Sequence, residues 1–292
     1  MSNSALYVLT VLIWGSTWFG ISYQLGEVSP LVSIAHRFML STVVIFAYLW
    51  LRRPADMRLA WRDHGFVALQ GMFLFCLNYI FIYHAAGILT SGLVAVVFST
   101  MVFFNIVNGA IFLGKPVSKN VLVGGGIGLL GMLGLFWPEL QALSLSDEVI
   151  QGLLMCLAGT FLASLGNIVA SRNSARRLPV LTCNAWGMLY GAVTLYLAAL
   201  LLGQPIAFDW RPSYLVSLAY LSIFGSVIAF WAYLSLVANI GVDRAAYTGL
   251  LFPVVALLIS TVFEDYQWSL VAAGGLVLVL LGNGLVMRRA RS

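Results

Sequence analysis

Residues 248–285 read TGLLFPVVALLISTVFEDYQWSLVAAGGLVLVLLGNGL: two apolar runs, each long enough to cross a bilayer, separated by the polar break Glu264-Asp265-Tyr266-Gln267. About 149 positions earlier, residues 99–134 read STMVFFNIVNGAIFLGKPVSKNVLVGGGIGLLGMLG and repeat that order, with an apolar run, a short polar break and a glycine-rich apolar run. A hairpin that recurs at half the chain length predicts a duplicated unit.

Of the 292 residues, 61% are hydrophobic and only 9% are charged. Soluble domains carry roughly 25% charged residues. Ten helices of about 20 residues take roughly 200 positions and leave roughly 90 for short loops, so no sizeable soluble domain fits. The apolar runs are continuous, whereas barrel strands alternate, which selects helices. The expected fold is an all-α membrane protein of ten transmembrane helices, built as two inverted five-helix repeats, 1–140 and 141–292. The spans are expected at 4–24, 31–51, 65–85, 90–112, 119–137, 150–170, 180–202, 213–236, 243–263 and 267–287. No basic residue precedes the first run, which is therefore read as a retained helix and not a signal peptide.

If the spans alternate, one face of the membrane receives thirteen basic residues, among them Arg52, Arg53, Lys115, Arg172, Arg176, Arg244 and Arg288. The opposite face has Arg211 alone, beside the acids Glu27, Glu139, Asp147, Glu148, Asp209, Glu264 and Asp265. The positive-inside rule then puts both termini in the cytoplasm. Five spans per copy is an odd number, so the second copy enters from the opposite side, the arrangement that lets a carrier rock one half against the other. The net charge of +5 is a topology signal and not a nucleic-acid footprint.

Several residues give the chain a family resemblance. Trp14-Gly15-Ser16 stands in span one, and Ser29-Pro30 and Arg37-Phe38 open span two. Leu251-Phe252-Pro253, Phe263-Glu264 and the Gly274/Gly282 run close the chain. In order and spacing these resemble the drug/metabolite transporter superfamily, specifically its EamA-type ten-helix exporters. Residues 78–85, NYIFIYHA, look like the bacterial aromatic amino-acid exporter group. The resemblance implies export of amino acids, aromatic and other neutral ones, or related metabolites from the cytoplasm of a bacterium. It also implies a central cavity lined by spans one, three, four, six, eight and nine. The chain departs from the family pattern at Phe104 and Lys115, where the second half has Pro253 and Glu264.

The candidate cavity residues are polar or aromatic and sit deep in the spans: Trp14, Trp18, Asn78, Tyr79, Tyr83, Ser99, Phe103, Ser164, Asn167, Trp231, Tyr247 and Thr248. Aromatic walls with a few amides and hydroxyls suit a small amphipathic solute. Each also has a packing reading, as a core aromatic or a helix–helix hydrogen bond. Pro253 removes a backbone hydrogen bond in mid-span nine and is the candidate hinge. Arg37 either binds a substrate carboxylate or snorkels to loop carbonyls or Glu27. His84 either carries protons or bonds locally at the interface, and His64 is expected to be solvated. Trp50, Tyr23, Trp137, Trp210 and Trp268 read as interfacial belt residues.

Cys76, Cys156 and Cys183 are odd in number and lie in apolar runs, which predicts packing residues and neither a disulfide framework nor a metal site. The glycines at 124–134 lack the Gly-Lys-Ser/Thr of a phosphate loop. With Gly274, Gly275 and Gly282 they predict close helix packing of spans five and ten, as a scaffold or a homodimer face. No acidic residue lies away from the span ends, which favours facilitated flux; a proton-driven multidrug exporter of the same fold is the competing reading. A channel would need charge rings or carbonyl filters, and an enzyme a buried acid/base constellation; neither pattern is present. No cofactor is expected, and the expected partners are a small-molecule substrate and membrane lipid.

Overall fold

The computed structural model describes residues 1–24, 26–89, 91–117, 119–141, 146–263 and 268–287. Among these there are ten long helical runs and no strand. They are α1 (Asn3–Ser22), α2 (Pro30–Arg52), α3 (Trp61–Ala86), α4 (Ser91–Ser99 and Met101–Leu113), α5 (Lys119–Leu135), α6 (Asp147–Ala175), α7 (Val180–Leu201), α8 (Pro212–Ile240), α9 (Thr248–Phe263) and α10 (Leu270–Met287). Six stretches are long and apolar enough to cross a bilayer: α2, α3, the part of α4 from Val96 to Leu113, α6, α7 and α8. α5 and α10 are shorter apolar helices. The chain is a multi-pass membrane protein. In hydrocarbon a helix answers its own backbone polarity, which is why such apolar runs take this form.

Local chemistry sets the helix ends. Ser29 caps α2, accepting the Val32 N–H at 3.4 Å with Pro30 in the first turn, and Ser146 caps α6 by accepting the Val149 N–H at 3.3 Å. Gly114 ends α4 at φ 62°, a conformation that disfavours a side chain. α6 and α8 each run 29 residues, longer than the spans expected at 150–170 and 213–236. The last turns of α6 are held by polar contacts, Asn173 donating to Gln70 Oε1 at 3.0 Å while Arg176 pairs with Asp63 at 3.3 Å. α4 is not the single run expected at 90–112. It breaks at Thr100, whose hydroxyl donates back to the Val97 carbonyl at 2.6 Å.

Two helices contain a π-helical turn that the apolar sequence did not announce. It spans Met72–Leu77 in α3 and Ile223–Ile228 in α8. α3 and α8 start at Trp61 and Pro212, 151 positions apart, and the turns at Met72 and Ile223 are again 151 apart. α2 and α7 start at Pro30 and Val180, 150 apart, and α5 and α10 at Lys119 and Leu270, 151 apart.

Packing couples these helices across the halves. α2 lies on α7 and α5 on α10; α3 packs on α6 as α1 packs on α8, and α4 packs on α6 as α1 packs on α9. α2 and α7 run antiparallel, with His36 against Tyr196 (ring centroids 5.7 Å apart) and Phe46 against Trp186 (5.2 Å). α5 and α10 are antiparallel too. A Cβ added at Gly131 would sit 2.6 Å from the Gly275 carbonyl oxygen, and one at Gly282 would sit 2.5 Å from that of Gly124. Only glycine lets these backbones meet. The three cysteines are buried and free, and Trp50, Tyr23, Trp137, Trp210 and Trp268 are exposed.

Candidate functional site: a cavity between the two halves

A cavity of ≈ 100 Å³ lies among α1, α3, α4, α6, α8 and α9, the helices implied by the resemblance, together with α2. Trp14, Tyr79, Tyr83, Phe98, Phe230, Tyr233 and Phe252 supply aromatic wall, and Thr17, Arg37, Asn78, Asn167 and Thr248 supply polarity. The volume suits a small solute and excludes a polymer.

The π-turn of α8 organises one corner of the cavity. A turn with i→i+5 hydrogen bonds inserts an extra residue and re-aims the carbonyls around it. The Gly225 carbonyl there accepts Trp14 Nε1–H at 3.0 Å and Arg37 Nη2–H at 3.3 Å. Ser226 accepts Arg37 Nε–H at 2.8 Å and donates its own hydroxyl proton to the Leu221 carbonyl at 2.9 Å. Gly225 leaves room for this grip, because a Cβ there would lie 2.9 Å from Thr17 Cγ2 and 3.2 Å from Arg37 Nη2. Trp14 packs against Phe230, Tyr233 and Phe252 at ring separations of 4.9, 5.0 and 5.2 Å. Tyr79 packs edge-on to Phe38 at 4.9 Å, with Tyr83 6.2 Å further along the same face. Asn167 donates to the Tyr233 hydroxyl at 2.9 Å, which ties α6 to α8 across the cavity floor.

The candidates named from sequence separate into two groups. Trp14, Asn78, Tyr79, Tyr83, Asn167 and Thr248 line the cavity, and so does Arg37. Ser99, Phe103, Ser164, Trp231 and Tyr247 do not. Ser164 accepts Asn108 Nδ2–H at 2.9 Å and joins α6 to α4. Tyr247 donates its hydroxyl to the Val121 carbonyl of α5, and Phe103 also faces α5, near Gly125. Ser99 is buried, and Trp231 packs half-buried against the core without lining the cavity. The side chain of Trp18 and residues Glu264 and Asp265 lie outside what the structure describes.

Arg37 neither snorkels nor meets Glu27: it is 1% exposed and bonds to α8. Exposed His84 bonds through Nδ1 to the Ile80 carbonyl of its own helix at 2.7 Å, away from the cavity. His64 is not a solvated loop residue. It is half-buried, 2.6 Å from the Tyr190 hydroxyl and edge-on to Trp186 at 4.9 Å. Pro253 sits inside α9 next to the wall residue Phe252; having no N–H, it cannot donate to the carbonyl of Gly249, also on the wall. Sequence reasoning passed over Phe98, Met101, Phe230, Tyr233 and Phe252 as wall residues; for Phe230 and Tyr233 the π-turn of α8 was the missing signal. No group of three metal-binding side chains occurs among the described residues.

An all-helical multi-pass membrane protein with an amphipathic cavity walled by both halves has the build of a membrane transporter. The sequence pattern of the EamA-like transporter family matches residues 2–137 and again residues 150–288. The chain belongs to that family. It is 30% identical over 297 residues to "Uncharacterized inner membrane transporter YedA" of Escherichia coli (strain K12), covering 96% of this chain and 91% of that protein. A second Escherichia coli relative, named "Probable amino-acid metabolite efflux pump", is 25% identical over 292 residues, covering 96% of this chain and 93% of that one. A solved crystal structure 20% identical in sequence shares the fold, with a TM-score of 0.80 over 99% of each chain.

Proposed function

We propose that this chain exports amino acids or related small metabolites across a bacterial inner membrane by alternating access, as a facilitator. The cavity carries this reading: its wall is assembled from both halves, so a relative movement of the halves changes access to it. The mechanism rests on two five-helix repeats, 1–140 and 141–292, inserted with opposite orientation through ten crossings. The antiparallel pairing of α2 with α7 and of α5 with α10 supports that inversion, as do the two equivalently placed π-turns and the reciprocal packing of α3 on α6 and α1 on α8. The efflux-pump name of one relative supports the substrate class. None of the described cavity-lining residues is an acid or a histidine, which favours flux down the solute gradient.

The purified protein in liposomes, loaded in turn with labelled phenylalanine, methionine and threonine, tests this directly. We expect saturable flux above that of empty liposomes, unchanged by an imposed pH gradient. Flux equal to that of empty liposomes for all three would remove the amino-acid reading, and flux driven by the pH gradient would replace facilitation with antiport. Tags at the two ends are expected on the cytoplasmic face; tags on opposite faces would break the repeat scheme.

A further inference from the structure

We propose that Arg37 is the anchor for a carboxylate on the transported solute, so that the cavity selects small apolar or aromatic carboxylates and disfavours amines that lack one. The inference rests on the transport reading above and narrows its substrate class.

A guanidinium keeps its charge inside proteins, and a buried charge without a counter-ion is costly. Arg37 is 1% exposed, yet the ion pairs among the described residues join Arg53 to Asp56, Arg172 and Arg176 to Asp63, and Arg211 to Asp209. Its neighbours are neutral. Ser226 Oγ accepts from Nε at 2.8 Å and the Gly225 carbonyl accepts from Nη2 at 3.3 Å. The Tyr79 ring lies 5.2 Å from the guanidinium carbon and the Phe38 ring 5.6 Å, which offsets part of the charge. Nη1 is buried and has no hydrogen-bond partner.

A second orphan stands beside it. The Tyr83 hydroxyl is buried beside the guanidinium, close enough to feel its charge, but no well-formed hydrogen bond satisfies it. Both residues line the cavity. Two unanswered donors at one corner, one of them charged, match the two oxygens of a carboxylate. The α8 backbone and Ser226 fix the guanidinium in advance, so little ordering is left for the solute to impose. The rest of the wall, with Phe98, Phe230 and Phe252, suits an apolar tail. None of the described wall residues is acidic, so a lone ammonium would meet ring faces and neutral amide or hydroxyl oxygens but no counter-charge, against the repulsion of Arg37.

The test uses three solutes of one shape: phenylalanine, 3-phenylpropionate and phenethylamine. Their binding to the purified full chain is read from the change in tryptophan fluorescence and their flux from proteoliposomes. In the wild type, phenylalanine and 3-phenylpropionate should bind, and phenethylamine at least about tenfold more weakly. Arg37→Gln should weaken both carboxylates about ten- to hundredfold and abolish their advantage over the amine. Arg37→Lys, which keeps the charge but loses the planar fork, should restore part of the preference. Inserted, monodisperse protein is measured for each variant. If Arg37→Gln fails to insert, Tyr83→Phe decides, with an expected several-fold loss for carboxylates only. An unchanged carboxylate preference in Arg37→Gln, or in Tyr83→Phe where that variant decides, overturns the anchor while leaving transport intact. So does a wild type that binds and moves phenethylamine best. A wild type that neither binds nor moves any of the three overturns anchor and transport reading together.

Discussion

The π-turns of α3 and α8 occupy the same point in the two proposed copies, yet they are held by opposite means. Counting 150 or 151 positions along, Arg37 corresponds to Gly187 and Ser226 to Phe75. In α8 the turn is gripped by side-chain donors from α1 and α2, Trp14 and Arg37. In α3 the turn is pressed directly against the α7 backbone, Gly71 lying against the Gly187 carbonyl and Phe75 filling the space beside Gly187 and Gly191. The comparison teaches that similar backbones can be given different tasks by exchanging an arginine–serine pair for a glycine–aromatic pair. The first copy supplies the cavity with its cation at Arg37, and the second has Gly187 at that point, packed tightly on α3.

The largest expected effect comes from the backbone contact. Gly71→Ala would drive a Cβ into the Gly187 carbonyl, so neither helix can yield without moving apart. Overpacking of this kind costs on the order of 3 kcal/mol, which should lower the thermal midpoint of the detergent-solubilised protein by roughly 6–12 °C. The corresponding change in the other copy, Ser222→Ala, removes a buried hydroxyl that has no partner and should leave the midpoint within about 2 °C. Equal losses at the two positions would dissolve the contrast.

Gly225→Ala comes next. Its Cβ would crowd Thr17 and Arg37 Nη2, shifting the guanidinium without a backbone collision. Flux should fall about tenfold with the amount of inserted protein unchanged, given what small misplacements of a binding group cost. Ser226→Ala removes the acceptor of Arg37 Nε and should lower carboxylate affinity several-fold, measured by the fluorescence titration above. An affinity equal to wild type would mean that Gly225 alone positions the arginine.

The smallest effect concerns the entries to the two helices. Asp63 at the start of α3 reaches across to Arg172 and Arg176 of α6, whereas Asp209, just before α8, is paired locally with Arg211 at 2.6 Å. The side-chain bond from Arg211, and then its backbone N–H, hold the Asp209 carboxyl below the ordinary aspartate range. A lowered folded value means that the pair's contribution is complete above the ordinary range and vanishes as the pH falls through the lowered one. Arg211 is half-exposed, so solvent and salt keep the effect small. The thermal midpoint of Asp209→Asn should therefore lie slightly below wild type at neutral pH and converge with it in strong acid.

Much of this architecture was legible in the order of residues. Long apolar runs and short polar breaks announce membrane-spanning helices, because the bilayer fixes span length. The cavity was legible only in part, and helical phase explains why. Tyr79 and Tyr83 are four apart within regular helix, so their shared face could be read directly. Trp231 could not be placed that way, because the π-turn at Ile223–Ile228 rotates the rest of α8 by about 100° and turns Phe230 and Tyr233 inward instead. Tyr247 looked like a wall residue, but a carbonyl of another helix holds its hydroxyl, and no local pattern encodes that. For Arg37 the sequence could not decide between snorkelling and a place at the substrate site, since the partners that hold it in the interior lie 188 and 189 positions away.

The glycine contact between α5 and α10 has a consequence for how the protein is made. The first helix of that pair emerges about 150 residues before the second. Until translation delivers the later one, the notched side of α5 at Gly124, Gly128 and Gly131 has only lipid or an insertion factor to lie against. The seam between these two helices therefore closes only once α10 has been made, and a ribosome stalled before α10 would leave an open-sided bundle for quality control to recognise.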